Sequence, residues 1–179
     1  MKLTLIAAIS ILSALASGLA PPDLIRRETI IHPEIGVVVR QDLGPPPPPN
    51  IAEVSITKGD QRVETMLGFV VPPCTGTCNI SFSDALPIPT GSRGLQLFNT
   101  FGYPSAGNTW HSRPPRNILK GNFKVSATGA GPAVVVEDFG LAFPCRTTTT
   151  RLGYNVGPVG YNDYVIWDIA KGGFVITCG

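Results

Sequence analysis

Nine short runs of strand-forming residues, each closed by glycine, proline or a polar turn, constrain this chain most. They cover residues 51–57, 64–71, 78–83, 94–99, 122–127, 133–143, 151–156, 164–169 and 173–178. Valine, isoleucine, phenylalanine, tyrosine and threonine dominate them, the side chains that fit a pleated, half-buried surface. Lys58-Gly59-Asp60, Pro87-Ile88-Pro89-Thr90-Gly91, Gly129-Ala130-Gly131-Pro132 and Lys171-Gly172-Gly173 punctuate the runs. Gly172-Gly173, between two apolar runs, reads as a hairpin turn. Beyond the first residues no window carries an apolar stripe at helical spacing. The fold class that follows is all-β: an antiparallel β-sandwich or jelly roll of about eight to nine short strands.

The N-terminus has a different character. Lys2 precedes an apolar run from Leu3 to Leu15, interrupted only by Thr4, Ser10 and Ser13, and Ala14-Leu15-Ala16 offers a small-x-small cleavage site. That is the pattern of a secretory signal peptide over residues 1–16. The run is shorter than the roughly 20 residues that span a bilayer. Residues 17–50 read as a pro-region and linker. Arg26-Arg27 is a candidate late-secretory processing site, and Pro45 to Pro49 form a stiff polyproline spacer. The globular domain is expected over 51–179, secreted, extracellular or attached to a cell wall.

Charge narrows the partners. Charged residues make up 15% of the chain, against about 25% in an average protein. The lysines and arginines are scattered, which argues against a nucleic-acid groove or a polybasic membrane patch. The C-terminal run 173–178 is a short strand, with no long apolar tail of the kind that directs a lipid anchor. Nothing in the pattern asks for a cofactor.

Four cysteines, Cys74, Cys78, Cys145 and Cys178, in a secreted chain read as two disulfides, for which three connectivities exist. A zinc reading needs four thiolates, or thiolates with histidine, and oxidising surroundings favour disulfides. The only histidines are His32 and His111. Asn79-Ile80-Ser81 is the one N-glycosylation sequon. With Cys78, Ile80 and Phe82 turned inward, alternation places Asn79 in solvent, as that modification requires.

The connection over 100–120 is long, and loops of more than about 12–15 residues are usually functional or disordered. It carries Tyr103, Trp110, His111, Arg113 and Arg116. Such a mix can stack on a sugar ring or grip a partner protein. The other reading is that Tyr103 and Trp110 plug the open end of the sandwich.

Four stretches carry a family resemblance. Leu67-Gly68-Phe69-Val70-Val71-Pro72 precedes Cys78-Asn79-Ile80-Ser81-Phe82; Phe143-Pro144-Cys145 follows a valine-rich strand; Tyr164 to Asp168 leads into Gly172-Gly173-Phe174-Val175-Ile176-Thr177-Cys178. The region from Met66 to Gly179 resembles the fungal secreted family known as the But-two C-terminal domain. The resemblance implies a secreted β-sandwich without catalytic residues. The family takes its name from a yeast protein that binds an enzyme activating a ubiquitin-like modifier, an intracellular role that a leader peptide makes implausible here. Against the family pattern, Cys78 and Cys145 both flank apolar strands, which favours a Cys78–Cys145 bridge and leaves Cys74–Cys178.

Catalytic patterns are sparse. No Gly-x-Ser-x-Gly elbow exists, and Ser105 and Ser112 near His111 sit in a proline-rich loop unsuited to a rigid triad. Glu137 and Asp138 are adjacent in a strand, so they face opposite sides and cannot form a glycosidase pair by themselves. Asp163 and Asp168 likewise alternate. The expectation is a noncatalytic secreted protein that binds a glycan or an extracellular protein through the 100–120 loop. The alternatives are a purely structural surface protein, and a glycoside hydrolase whose site the sequence does not display.

Overall fold

The structure, a computed structural model, describes residues 28–42, 44–57 and 61–179. The leader, Arg26-Arg27 and the turn Lys58-Gly59-Asp60 lie outside the described residues. Twelve strands build two antiparallel sheets. The smaller contains β1 (Thr29–Ile31), β12 (Phe174–Cys178), β5 (Thr77–Phe82) and β9 (Ala142–Pro144), in that order. The larger runs β11 (Tyr164–Asp168), β3 (Ile51–Ile56), β4 (Arg62–Val71), β10 (Thr150–Pro158), β6 (Gly94–Thr100), β7 (Arg116–Lys124) and β8 (Val134–Asp138). An eighth strand, β2 (Ile35–Arg40), pairs with β4 beyond the short β3–β4 contact. This is the expected all-β sandwich.

Alternation along the strands explains why the sheets stack. Leu67, Phe69 and Val71 of β4, Tyr154 and Val156 of β10, and Leu95 and Leu97 of β6 form part of the core. The small sheet answers with Cys78, Ile80 and Phe82 of β5 and Phe174 and Ile176 of β12. At the centre Phe174 meets Phe82 (5.1 Å), Phe123 (5.0 Å) and Trp167 (6.2 Å) edge to face. This is the arrangement that aromatic quadrupoles prefer.

Three expectations need correction. First, the domain does not start at residue 51. Thr29–Ile31 pairs with the last strand, and Ile35–Arg40 runs antiparallel to β4. The segment 29–40 is short and broken by Pro33, so neither strand stands out from the sequence of the expected linker. Pro45 to Pro49 therefore joins two strands of one sheet and is not a spacer between domains.

Second, Gly172-Gly173 does not close a hairpin. Strand β11 belongs to the large sheet and β12 to the small one. The chain crosses between layers here with Gly173 at φ +74° and its Cα flush against the Trp167 ring, where a side chain has no room. Third, the run 133–143 is two strands. Gly140 at φ +115° breaks it, β8 stays in the large sheet, and β9 passes to the small one.

Candidate functional site

The connection is shorter than the expected 100–120, because β6 runs to Thr100 and β7 begins at Arg116, and the loop left between them, 101–115, does not cap the open end of the sandwich. It folds across the outer face of the large sheet, where β4 and β10 present the residues that alternate with the core set. Glu64, 2% exposed, stands there beside Asn155, fully buried. Arg116 holds both: Nη2 lies 2.8 Å from Glu64 Oε1, and Nε donates to Asn155 Oδ1 at 2.6 Å. Arg113 approaches Glu64 at 3.7 Å, and Asn155 Nδ2 donates to the same carboxylate at 3.0 Å. Burial pushes the Arg116 guanidinium down from its ordinary value, and the Glu64 charge pulls it back up. A buried carboxylate is tolerated because two guanidiniums and an amide surround it.

The rest of the loop is tied to the same face. Arg113 stacks 3.7 Å over the Trp110 ring and donates to the Trp110 carbonyl. Tyr103 lies against Gly68, where an added Cβ would come within 2.6 Å of the ring. Its hydroxyl donates to Glu34 Oε2 at 2.6 Å, and Arg151 sits 4.7 Å over its face. Burial, then the bond to Glu34 and its charge, raise the Tyr103 pKa to about 12. Of the five residues expected to meet a ligand, Arg113, Arg116 and Tyr103 thus have internal partners. Trp110 is half-buried under Arg113, and His111 is exposed at the loop tip.

A cleft opens where the sheets part. Its cavity of about 470 Å³ is within the range of small-molecule sites. The large sheet lends Val71, Leu152 and Tyr154, β9 of the small sheet lends Phe143, and the start of the long loop lends Phe101 and Tyr103. Val71 and Tyr154 are both 4% exposed and form its floor. Burial alone raises the Tyr154 pKa, and no hydrogen bond holds its hydroxyl among the described residues. Three cations complete the lining: half-buried Lys120, and Arg146 and Arg151 in solvent. Arg151 is engaged by Glu34 at 3.4 Å, whereas Lys120 and Arg146 have no ion-pair partner among the described residues. Among the described residues no carboxylate and no histidine lines the cleft. The 120 and 151 positions were visible in the sequence only as scattered surface charge; pairing across three strands and a crossover brings them together.

The cysteines gather at one edge of the cleft, and Cys145 is in its wall. All four sulfurs lie within 4.8 Å of one another. The bond that forms is Cys78–Cys178, not Cys78–Cys145 with Cys74–Cys178. The register explains the correction: Cys78 and Cys178 are direct cross-strand partners on β5 and β12, while Cys78 stands opposite Phe143 on β9. The sulfurs of Cys74 and Cys145 approach Cys78 to 3.4 and 3.2 Å. A tetrathiolate metal site would need all four sulfurs as thiolates, and the bridge takes two.

Asp163 and Asp138 are structural. Asp163 is buried and accepts from Ser92 Oγ (2.8 Å) and from the amides of Arg93 and Gly160 (both 2.9 Å), tying the β10–β11 turn to the entry of β6. Asp138 accepts the amides of Gly140 and Leu141, which hold its pKa below the usual carboxylate range. Asn79 is exposed on the outer face of the small sheet, with Cys78, Ile80 and Phe82 turned inward.

No family model matches the chain, and no curated protein matches it. The resemblance to the But-two C-terminal domain rests on the four sequence stretches alone.

Proposed function

We propose that this is a noncatalytic extracellular binding protein whose ligand enters the cleft between the sheets. The observation that carries the reading is the lining itself. A preformed cavity with an apolar floor and a few polar groups at its mouth is how small-ligand sites are built, and among the described residues it holds no carboxylate pair and no histidine for hydrolysis. The leader-like N-terminus and the Cys78–Cys178 bridge support an oxidising, extracellular setting. The long loop then serves as the outer brace of the large sheet, with its first residues, Phe101 to Tyr103, forming one lip of the cleft. Exposed Asn79, on the opposite side of the small sheet's strands from the core, is the proposed glycan carrier.

A fragment titration followed by amide NMR tests the reading. Small neutral and charged fragments are expected to shift the resonances of Thr150, Leu152 and Phe101 together. Shifts confined to Trp110 and His111 would return the site to the loop tip, and a cleft that no fragment perturbs would refute it.

A further inference from the structure

We propose that the ligand is a small amphipathic anion, with an apolar body lying between the sheets and an acidic head group held by Arg146 and Lys120. The inference rests on reading the cleft as a ligand site and adds the class of ligand. The floor comes from core positions: Val71 and Tyr154 are almost wholly buried, and Leu152 and Phe143 pack on the core beside them. The apolar surface left for a ligand to cover comes from exposed Phe101 and half-buried Leu152 and Phe143, and covering it gains roughly 25 cal/mol for each Å². The mouth is cationic. Arg146 and Lys120 lack carboxylate partners among the described residues, unlike Arg113, Arg116 and Arg151, which are all paired. Unpaired cations above an apolar floor, with no carboxylate in the lining, match an anion by charge and an alkyl or aryl group by shape.

Apart from the Tyr154 hydroxyl, the side-chain oxygens a neutral sugar would use are already committed. Asn99 Oδ1 accepts from the Ile118 amide at 2.7 Å, Thr100 Oγ1 donates to the Gly102 carbonyl at 2.6 Å, and Thr150 Oγ1 donates to the Thr148 carbonyl at 3.1 Å. A polyhydroxylated ring would find few unengaged partners here. An acidic head group finds two.

The test compares decanoate with decanol, which share an alkyl chain and differ in charge, and with trigalacturonate, an acidic sugar without an apolar body. Calorimetry on the secreted full-length protein is expected to show decanoate binding at least tenfold more tightly than either. The double variant K120A/R146A, one change half-buried and one in solvent, should lower decanoate affinity about tenfold and leave decanol unchanged. Thr150→Trp, placed at the mouth, should block decanoate while the thermal midpoint stays near that of the parent. Decanoate binding that is insensitive to both variants would overturn the proposal, as would decanol binding equally well. Trigalacturonate binding best, with cleft resonances shifting, would overturn the ligand class and leave the cleft as the site. A cleft that no probe enters, including one filled by the chain's own N-terminal residues, would overturn both.

Discussion

On its inner face the large sheet presents Leu67, Phe69, Leu95, Leu97 and Val156; on its outer face the same strands present Glu64, Met66 and Asn155. At these positions of β4 and β10 both faces are buried, but by different partners. The inner one is covered by a second sheet whose apolar side chains interdigitate with it. The outer one is covered by the loop before β7, held through Tyr103, Arg113 with its stacked Trp110, and Arg116 at the start of β7. Burial on the first face requires only apolar residues at period two. Burial on the second requires each charge to find its partner, because an unpaired buried charge costs more than any one apolar contact returns.

The largest effect is expected on the inner face. Phe174→Ala removes the ring that touches Phe82, Phe123 and Trp167, and should cost about 3–5 kcal/mol in chemical denaturation. A loss under about 1 kcal/mol would mean that the inner face does not carry the fold. Next comes the ion cluster. Arg116→Met strips Glu64 of its closest cation and should cost about 3 kcal/mol, whereas the double variant E64L/R116M should recover much of the loss. If the double variant is the worse of the two, the outer face depends on charge for more than pairing.

These two faces also mark how far the sequence could be read. Alternation in 64–71, 94–99 and 151–156 shows the inner face outright, because any apolar residue of the right size satisfies it. The Glu64–Arg116–Asn155 set was not legible: its members lie far apart in sequence, on β4, β7 and β10, and no spacing rule links them. The same holds for β1 and β2, whose residues became strands only because β12 and β4 offered open edges. The cleft combines both cases. Its floor follows from strand alternation, but its cations meet only once the topology is known.

The cross-links give a smaller test at the boundary between the layers. The Cys74 amide donates to the Arg146 carbonyl, and the Cys145 amide to the Gly76 carbonyl, so the two cysteine segments already run side by side. Non-reducing peptide mapping should return Cys78–Cys178 together with Cys74–Cys145. Replacing Cys74 and Cys145 by serine should then cost about 2 kcal/mol. A Cys78–Cys145 peptide would show that the bridge follows sulfur proximity and not strand register.

The smallest effect belongs to Tyr103, on the outer face. Its folded pKa of about 12 exceeds the ordinary value of 10.0. The folded state therefore holds this proton more tightly, and the contribution is complete below pH 10 and is lost as pH rises from 10 toward 12. Tyr103→Phe should lower stability by about 1 kcal/mol at neutral pH. It should also flatten the alkaline fall in stability relative to the parent, as followed by denaturant melts across that interval.

Strand β1 lies against β12, with Thr29 opposite Cys178. An element made early in synthesis therefore waits for one of the last before it has an edge to join, and the two meet only across nearly the whole domain. Such closure imposes a high contact order and slow completion. The same adjacency brings the first and last strands to one side, so a short bridge from residue 179 to residue 28, with new ends cut in the exposed 105–107 stretch, should give a circular permutant that still folds.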